Sequence, residues 1–319
     1  MNNVNRGKVR GWWDWSSVAA ERPDMMKEIR RMTFDDVLAL GRKSGGRFRV
    51  VSYDTPQDFF AAEALEYIRV LSSSTPDNPK AICGPVGPVE QHGPLWRIVN
   101  EMHVCLRDGI FLSMDEFIDE EGMAIPQSHP LSFAKANIEG WLNRIDEKLR
   151  PAPKNVFHLT EDVGPYMKVW DDPGVEVMIT QGGIGDLGHF AFNDPVPQEG
   201  PWAERPPTPD EYARFRTRIV TLHPWTIAQD ARHSTGGDVS LIPSRAVTVG
   251  AKEVLEKSKK LSFWCPGHHS PAIVIWMLAW MIANNIQDSR MPQSLFARHP
   301  DVTYHLLRSK IIPPGIDVH

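Results

Sequence analysis

The chain has 319 residues, a formal net charge of −5, and 41% hydrophobic and 24% charged residues. That composition suits a globular protein with a full core, and it lacks both the basic block of a nucleic-acid binder and an apolar run long enough to cross a bilayer. The first residues lack the charged-then-apolar order of a signal peptide, and Cys83, Cys105 and Cys265 are few and dispersed, so the expectation is a cytoplasmic protein with reduced thiols and neither nucleic acid nor membrane as partner.

Residues 1–46 read as an N-terminal arm, with Trp12, Trp13 and Trp15 in polar surroundings and an amphipathic helix near Asp24 to Leu40. Clustered tryptophans of this kind dock on their own domain or on a neighbouring subunit. From residue 47 to 319 the pattern predicts one domain. Phe48–Tyr53 is a strand, and Pro56 opens a helix through Leu71. Ala81–Cys83 is a short strand running into the Gly/Pro-rich turn Gly84-Pro85-Val86-Gly87-Pro88, followed by a helix over Gly93 to Cys105. Ile110–Ser113 is the next strand, a helix is expected near Leu131–Leu149, and a short strand near Val156. Val175–Ile179 reads as a buried strand that runs into Gly182-Gly183-Ile184-Gly185-Asp186-Leu187-Gly188-His189. Glycines there let the backbone turn sharply and approach a ligand. The proline-rich stretch 196–212 reads as an irregular surface insertion. Arg245–Gly250 is strand-like, a helix begins at Lys252, Leu261–Cys265 is a strand ending at Pro266-Gly267-His268-His269-Ser270, and Ala272–Asn284 is a buried helix.

Alternating strands and helices with short turns predict an α/β fold, Rossmann-like, with a mostly parallel sheet covered by helices on both faces. In such sheets ligands bind outside the carboxyl ends of the strands, so the turns at 84–90, 113–117, 182–194 and 266–270 are expected to converge on one crevice.

Three blocks in order resemble the glucosamine-6-phosphate deaminase family, relatives of the 6-phosphogluconolactonases. Phe111-Leu112-Ser113-Met114-Asp115-Glu116-Phe117, with Ser128-His129-Pro130-Leu131-Ser132-Phe133 after it, is similar to F-x-x-D-E-Y and H-P-x-S-Y. Gly182 to Pro195 is similar to G-G-x-G-x-D-G-H-I-A-F-N-E-P, and Pro243 to Gly250 to P-x-x-A-L-T-V-G. Pro292–Pro300 echoes a late S-x-L-Q-x-H-P. The resemblance spans roughly residues 47–305 and implies aldose–ketose isomerisation with loss of the 2-amino group from a small-molecule sugar, with no cofactor required and a homo-oligomeric assembly. It assigns proton shuttling to Asp115, ring opening to His189, and orientation of that histidine to Asp194. Substrate contacts fall on Gly84, Gly87, Glu90, Gly183, Arg232, His268, His269 and Ser270.

The chain also departs from that pattern. The aspartate before Gly-His is Leu187, with Asp186 one residue earlier as a candidate substitute. Where the family has a P-T-G-G-T-P anion cradle, this chain has Pro85-Val86-Gly87-Pro88-Val89-Glu90, which loses two hydroxyls and an N–H and gains a carboxylate. The family's lysine falls at His269 or Ser270. Arg218 of the effector pocket is retained while its neighbour is Val220. The expectation is a substrate recognised without its 6-phosphate. Two further readings stand beside it. Val86–Pro94 is similar to the G-S-x-E-Q-H-G-P of the creatininases, which makes Glu90, His92 and His269, with His189 and His268, candidate ligands of a divalent metal in a hydrolase or lactonase. Leu187 and the altered cradle also fit a non-catalytic sugar-binding or assembly protein on the same fold.

Overall fold

A computed structural model describes residues 9–87, 89–267 and 271–314. His268, His269, Ser270 and Pro88 lie outside the described residues. The helices are α1 (Trp15–Glu21), α2 (Pro23–Ile29), α3 (Phe34–Lys43), α4 (Pro56–Ser72), α5 (His92–Glu101), α6 (Phe133–Gly140), α7 (Gly164–Asp171), α8 (Pro209–Ala213), α9 (Pro224–Ser234), α10 (Ala251–Lys257) and α11 (Ala272–Ala283). The strands are β1 (Phe48–Tyr53), β2 (Lys80–Gly84), β3 (Ile110–Ser113), β4 (Asp115–Ile118), β5 (Val156–Phe157), β6 (Glu176–Gly182), β7 (Arg218–Thr221), β8 (Arg245–Thr248), β9 (Lys260–Cys265) and β10 (Val302–Leu307).

Seven strands form a sheet in the order β1-β10-β9-β6-β2-β3-β5, and every neighbouring pair in it is parallel. Near-continuous apolar strands such as Ile110–Ser113, buried at every position, are what a sheet covered on both faces requires. Because all seven run the same way, Gly84, Ser113, Gly182 and Cys265 end on one edge, and the loops that follow them leave the sheet together. β4, β8 and β7 form a separate antiparallel sheet beside that edge. Asp115 is therefore the first residue of a strand paired with Thr248, not part of a turn or a helix cap.

Local chemistry explains several boundaries. The helix expected over Asp24–Leu40 is two helices, because Thr33 starts a new one. Its hydroxyl accepts from the Asp36 amide at 3.2 Å while the Asp36 carboxylate accepts from the Thr33 amide at 2.8 Å, a reciprocal cap. The helix expected to reach Leu149 ends at Gly140, where a Cβ would stand 2.6 Å from His92 Nδ1. α11 is apolar all round and buried on nearly every side. Part of its cover is the N-terminal arm: Trp276 donates its indole N–H to the Met32 carbonyl at 3.0 Å, and Phe34 packs edge-on to it with centroids 6.0 Å apart. Val18, Met26, Ile29, Val37 and Leu40 of the arm belong to the same apolar core as α11.

Two glutamates three residues apart on α4 show how burial and pairing divide. Glu66 accepts from Lys260 Nζ at 2.5 Å, Gln181 Nε2 at 3.0 Å and Trp264 Nε1 at 3.2 Å. Burial opposes its charge, but Lys260 and these donors prevail and its pKa is lowered. Glu63 is fully buried, and neither carboxyl oxygen has a hydrogen-bond partner. Burial, with Glu66 and Glu90 nearby, pushes its pKa well above 4.5. Its proton is bound more tightly in the folded chain than in the unfolded one. The stability this contributes is complete below about pH 4.5 and is lost as pH rises through the folded pKa. Thermal melts of Glu63→Gln against the parent are expected to show the smallest difference near pH 4.5 and a growing advantage for the variant as pH rises. A difference independent of pH would show that Glu63 stays ionised.

Candidate active site

Two glycines make the turn after β6 possible. Gly185 lies under the His189 imidazole, and a Cβ there would stand 1.8 Å from Nε2, so only hydrogen leaves room for the ring. Gly188 has φ +66° and its Cβ position is 2.8 Å from Met291 Cγ, which excludes other residues on both counts. Gln293, in the late sequence block, holds the turn in place. Its side-chain amide donates to the carbonyls of Gly183 and His189, each at 2.9 Å, and its backbone N–H donates to the Gly188 carbonyl at 2.8 Å.

His189 emerges from this turn buried, with Nδ1 bonded to the Asp194 carboxylate in a short contact. Asp194 is fixed in turn. Thr226 donates to its Oδ1 at 2.9 Å, the His223 amide at the start of α9 donates to its Oδ2 at 2.9 Å, and the Tyr212 hydroxyl donates to its backbone carbonyl at 2.7 Å. With Nδ1 engaged, Nε2 is the nitrogen available to a ligand. Burial alone would lower the imidazole pKa. Asp194, through charge and hydrogen bond, outweighs it with help from Asp230 and Asp186, and the net shift is upward.

A cavity of about 400 Å³ opens at this edge. It brings together Gly87 and Glu90 from the loop after β2, Met114 and Asp115 between β3 and β4, Gly183 and His189 from the glycine turn, and Trp264 at the end of β9. Phe117, Phe133 and Phe192 form one apolar wall, with ring centroids 5.0–5.8 Å apart. Asp115 is buried, and burial, followed by Glu116 and Asp230, raises its carboxyl well above the usual range. Glu116 plays a different part. It accepts from the amides of Phe117, Phe133 and Ala134 at 2.9–3.0 Å and from the Ser132 hydroxyl at 3.0 Å, which fastens β4 to the start of α6.

The remaining sequence candidates separate. Gly84 is a packing glycine whose Cβ would stand 2.1 Å from the Tyr67 hydroxyl, and it does not line the cavity. Asp186 is not among the residues that line the cavity. It pairs with Arg232 at 3.1 Å, and the backbone around it is held by Gln229 Oε1 on its amide at 2.6 Å and by Trp15 Nε1 on its carbonyl at 3.0 Å. Arg232 is half exposed in that pair, outside the cavity lining. Arg218 donates to the Asn193 side-chain oxygen Oδ1 at 3.1 Å and covers the Phe215 ring at 4.6 Å, a packing role. His92 is buried beside Gly140 with Nε2 unpartnered, and burial lowers its pKa to about 4. It is absent from the cavity that Glu90 lines. Among the described residues no three His, Cys, Asp or Glu side chains are grouped to hold a metal ion.

Sequence reasoning missed α9 and with it four cavity residues, Gln229, Asp230, His233 and Ser234. The available signal was His223-Pro224. His223 Nδ1 accepts from the Trp225 amide at 3.0 Å as an N-cap, and Pro224 sits in the first turn.

The fold is shared with solved α/β enzymes that act on sugar phosphates. A monomeric glucosamine-6-phosphate deaminase superposes with a TM-score of 0.59 at 20% identity, covering 82% of this chain and 98% of that one. The 6-phosphogluconolactonase of Plasmodium vivax gives 0.54 at 12% identity, covering 84% and 95%. By sequence, the glucosamine-6-phosphate deaminase of Phocaeicola vulgatus is 28% identical over 204 residues, 62% of this chain and 69% of that protein. Those of Caenorhabditis elegans and Borreliella burgdorferi are also 28% identical, over 50% and 59% of this chain and 54% and 65% of their own lengths. No protein-family model matches the chain. The chain is a divergent relative of the glucosamine-6-phosphate deaminases.

The Asp194 contact sets the state of His189. In Asp194→Asn the main counterweight to burial is gone, so the His189 titration followed by NMR is expected to move below that of the parent. An unchanged titration would mean that Asp230 and Asp186 suffice.

Proposed function

We propose that this chain isomerises an amino sugar or related aldose to the ketose, with release of ammonia where the substrate carries a 2-amino group, and that it recognises the sugar without a 6-phosphate. The observation that carries the reading is the placement of Asp115 and His189 around one cavity whose described lining contains no lysine or arginine. Pro88, His268, His269 and Ser270, which lie outside the described residues, are neither lysine nor arginine.

The chemistry follows from the residue types. Ring opening needs one group that removes the proton from the anomeric hydroxyl and returns one to the ring oxygen, a task for Nε2 of a histidine whose other nitrogen is held by a carboxylate. Isomerisation then needs a carboxylate that takes the proton from C2 and delivers it to C1. Asp115, buried beside the apolar wall and raised in pKa, has the basicity that a weak carbon acid demands. For a 2-amino sugar the product of that transfer is a ketimine, which water converts to ketone and ammonia. Met114, Trp264 and the three phenylalanines supply flat apolar faces for the sugar's C–H surfaces.

The relatives are named for a 6-phosphate substrate. Each charge-assisted hydrogen bond that this cavity fails to offer a phosphate forgoes about 1.5–3 kcal/mol. Arg232 would have to leave Asp186 to supply one.

Ammonia release and ketose formation, measured over glucosamine, other 2-amino aldoses and their 6-phosphates, test the reading. Phosphate-free substrates are expected to match or exceed the phosphorylated ones in kcat/KM. Asp115→Asn and His189→Ala are each expected to lower kcat by about a hundredfold or more. A strong preference for the 6-phosphate overturns the recognition claim. Turnover of sugar lactones alone, or sugar binding without any turnover, overturns the reaction.

A further inference from the structure

Resting on the reading above, we infer that Asp230 is a further catalytic residue, the acid–base partner of Asp115 that handles the protons on the substrate's heteroatoms while Asp115 handles those on carbon. Nothing in the family resemblance assigns a role to this position. The inference comes from where α9 places the side chain.

Asp230 lines the same cavity as Asp115 and His189. Its Oδ2 is buried without a hydrogen-bond partner. An orphaned carboxylate oxygen is costly inside a protein, and one facing a ligand cavity is satisfied when the ligand brings a hydroxyl or an amine. The residue is also held steady. Gln229 beside it binds the Asp186 amide at 2.6 Å, Thr226 one turn earlier binds Asp194 at 2.9 Å, and Arg232 two residues on pairs with Asp186 at 3.1 Å. α9 is thus fastened to the glycine turn on both sides of Asp230.

The groups facing Asp230 define its protonation. Burial raises its carboxyl to about 7, His189 opposes that rise, Asp194 and Asp186 add to it, and a Gln229 hydrogen bond opposes it. Asp115, which lines the same cavity, is raised partly by Asp230. His233, one turn further along α9, lines the same cavity. Burial makes each of these carboxyl groups resist ionisation, and Asp115 also feels the charge of Asp230, so the two do not readily ionise together, and such a pair divides into an acid and a base.

The step balances without a further reactant. In the open-chain aldose, Asp115 removes the C2 proton and the released electron pair forms the C1–C2 double bond. The C1 carbonyl oxygen takes a proton from Asp230, giving the enediol or enolamine. Asp115 then returns its proton to C1, and Asp230 recovers a proton from the oxygen or nitrogen on C2, leaving a ketone or a ketimine. Both carboxyl groups end as they began. The carboxylate that the family motif carries at the position of Leu187 is thereby replaced from a different element.

Steady-state kinetics of the full chain with the best amino sugar test this, comparing the parent, Asp230→Asn, Asp230→Glu and Asp115→Asn. Asparagine keeps the shape but cannot transfer a proton. Asp230→Asn is expected to lower kcat about a hundredfold with little change in KM, and to remove the limb of the kcat/KM pH profile nearest pH 7, while Asp230→Glu recovers part of kcat. An Asp230→Asn variant that melts like the parent and retains kcat and both limbs overturns the inference. So does one with raised KM and an unaltered pH profile, which marks a binding contact. If the parent turns over and Asp115→Asn does not, while Asp230→Asn is fully active, the inference fails and the proposed reaction stands. If the parent shows no isomerisation, the reaction itself fails.

Discussion

The carboxylate of Asp194 is the point on which the rest of the site depends. One side chain receives the His189 imidazole, the Thr226 hydroxyl and the backbone N–H of His223, the residue that caps α9, and its own carbonyl receives the Tyr212 hydroxyl. It therefore joins the glycine turn, the proline-rich insertion and α9 at a single buried anion. A buried carboxylate is tolerable only when its lone pairs are filled by well-placed donors. The three elements are consequently obliged to keep a fixed relation to one another. That relation sets both the tautomer of His189 and the position of Asp230 two turns into the cavity wall.

The N-terminal arm extends this constraint outward. Asp14 caps α1 by accepting from the Ser16 amide at 2.8 Å, is fully buried, and lies 3.9 Å from His223 Nε2. Trp12 stands edge-on to the His223 ring at 4.8 Å, Trp15 packs on Trp225 at 5.8 Å, and Trp15 also holds the Asp186 carbonyl. The tryptophans that look anomalous in a polar sequence context are thus the outer support of α9 and the glycine turn. Their rings bury apolar area, while the Trp15 N–H satisfies a carbonyl of the glycine turn and the Trp13 N–H satisfies the Trp202 carbonyl of the proline-rich insertion. The arm is tied again at the far side by the pairing of Glu21 with Arg290 at 2.7 Å.

Much of this was legible in the chain. The strands and glycine-rich turns have periodicity and composition that only a parallel α/β sheet accommodates, and the topology then carries Glu90, Asp115 and His189 to one edge. What was not legible depends on contacts between distant segments. β10 was missed because Val302–Leu307 alternates Thr303 and His305 with apolar residues, a pattern that gives no hint of a central position between β1 and β9. Asp186 and Arg232 were read as site residues because their neighbours match a motif. Their mutual ion pair, 46 positions apart in sequence, cannot be read from either segment. Asp230 was invisible for the opposite reason, since an aspartate in a short polar helix reads as a solvated face until the fold turns that face inward.

Charge decides what such a cavity can accept. Asp115, Asp230 and Glu90 line it, and no described lining residue is a lysine or arginine. A dianionic phosphate entering there meets carboxylates without compensating cations, and the raised pKa values of Asp115 and Asp230 show that the cavity already resists a second negative charge. A hydroxyl or ammonium group meets the reverse situation, because it donates to an oxygen that lacks a partner in the empty cavity. Leu187 fits the same logic. It is fully buried, and a carboxylate at that point of the turn would have buried a further charge. A carboxylate on α9, Asp230, instead stands on a helix and lines the same cavity as Asp115.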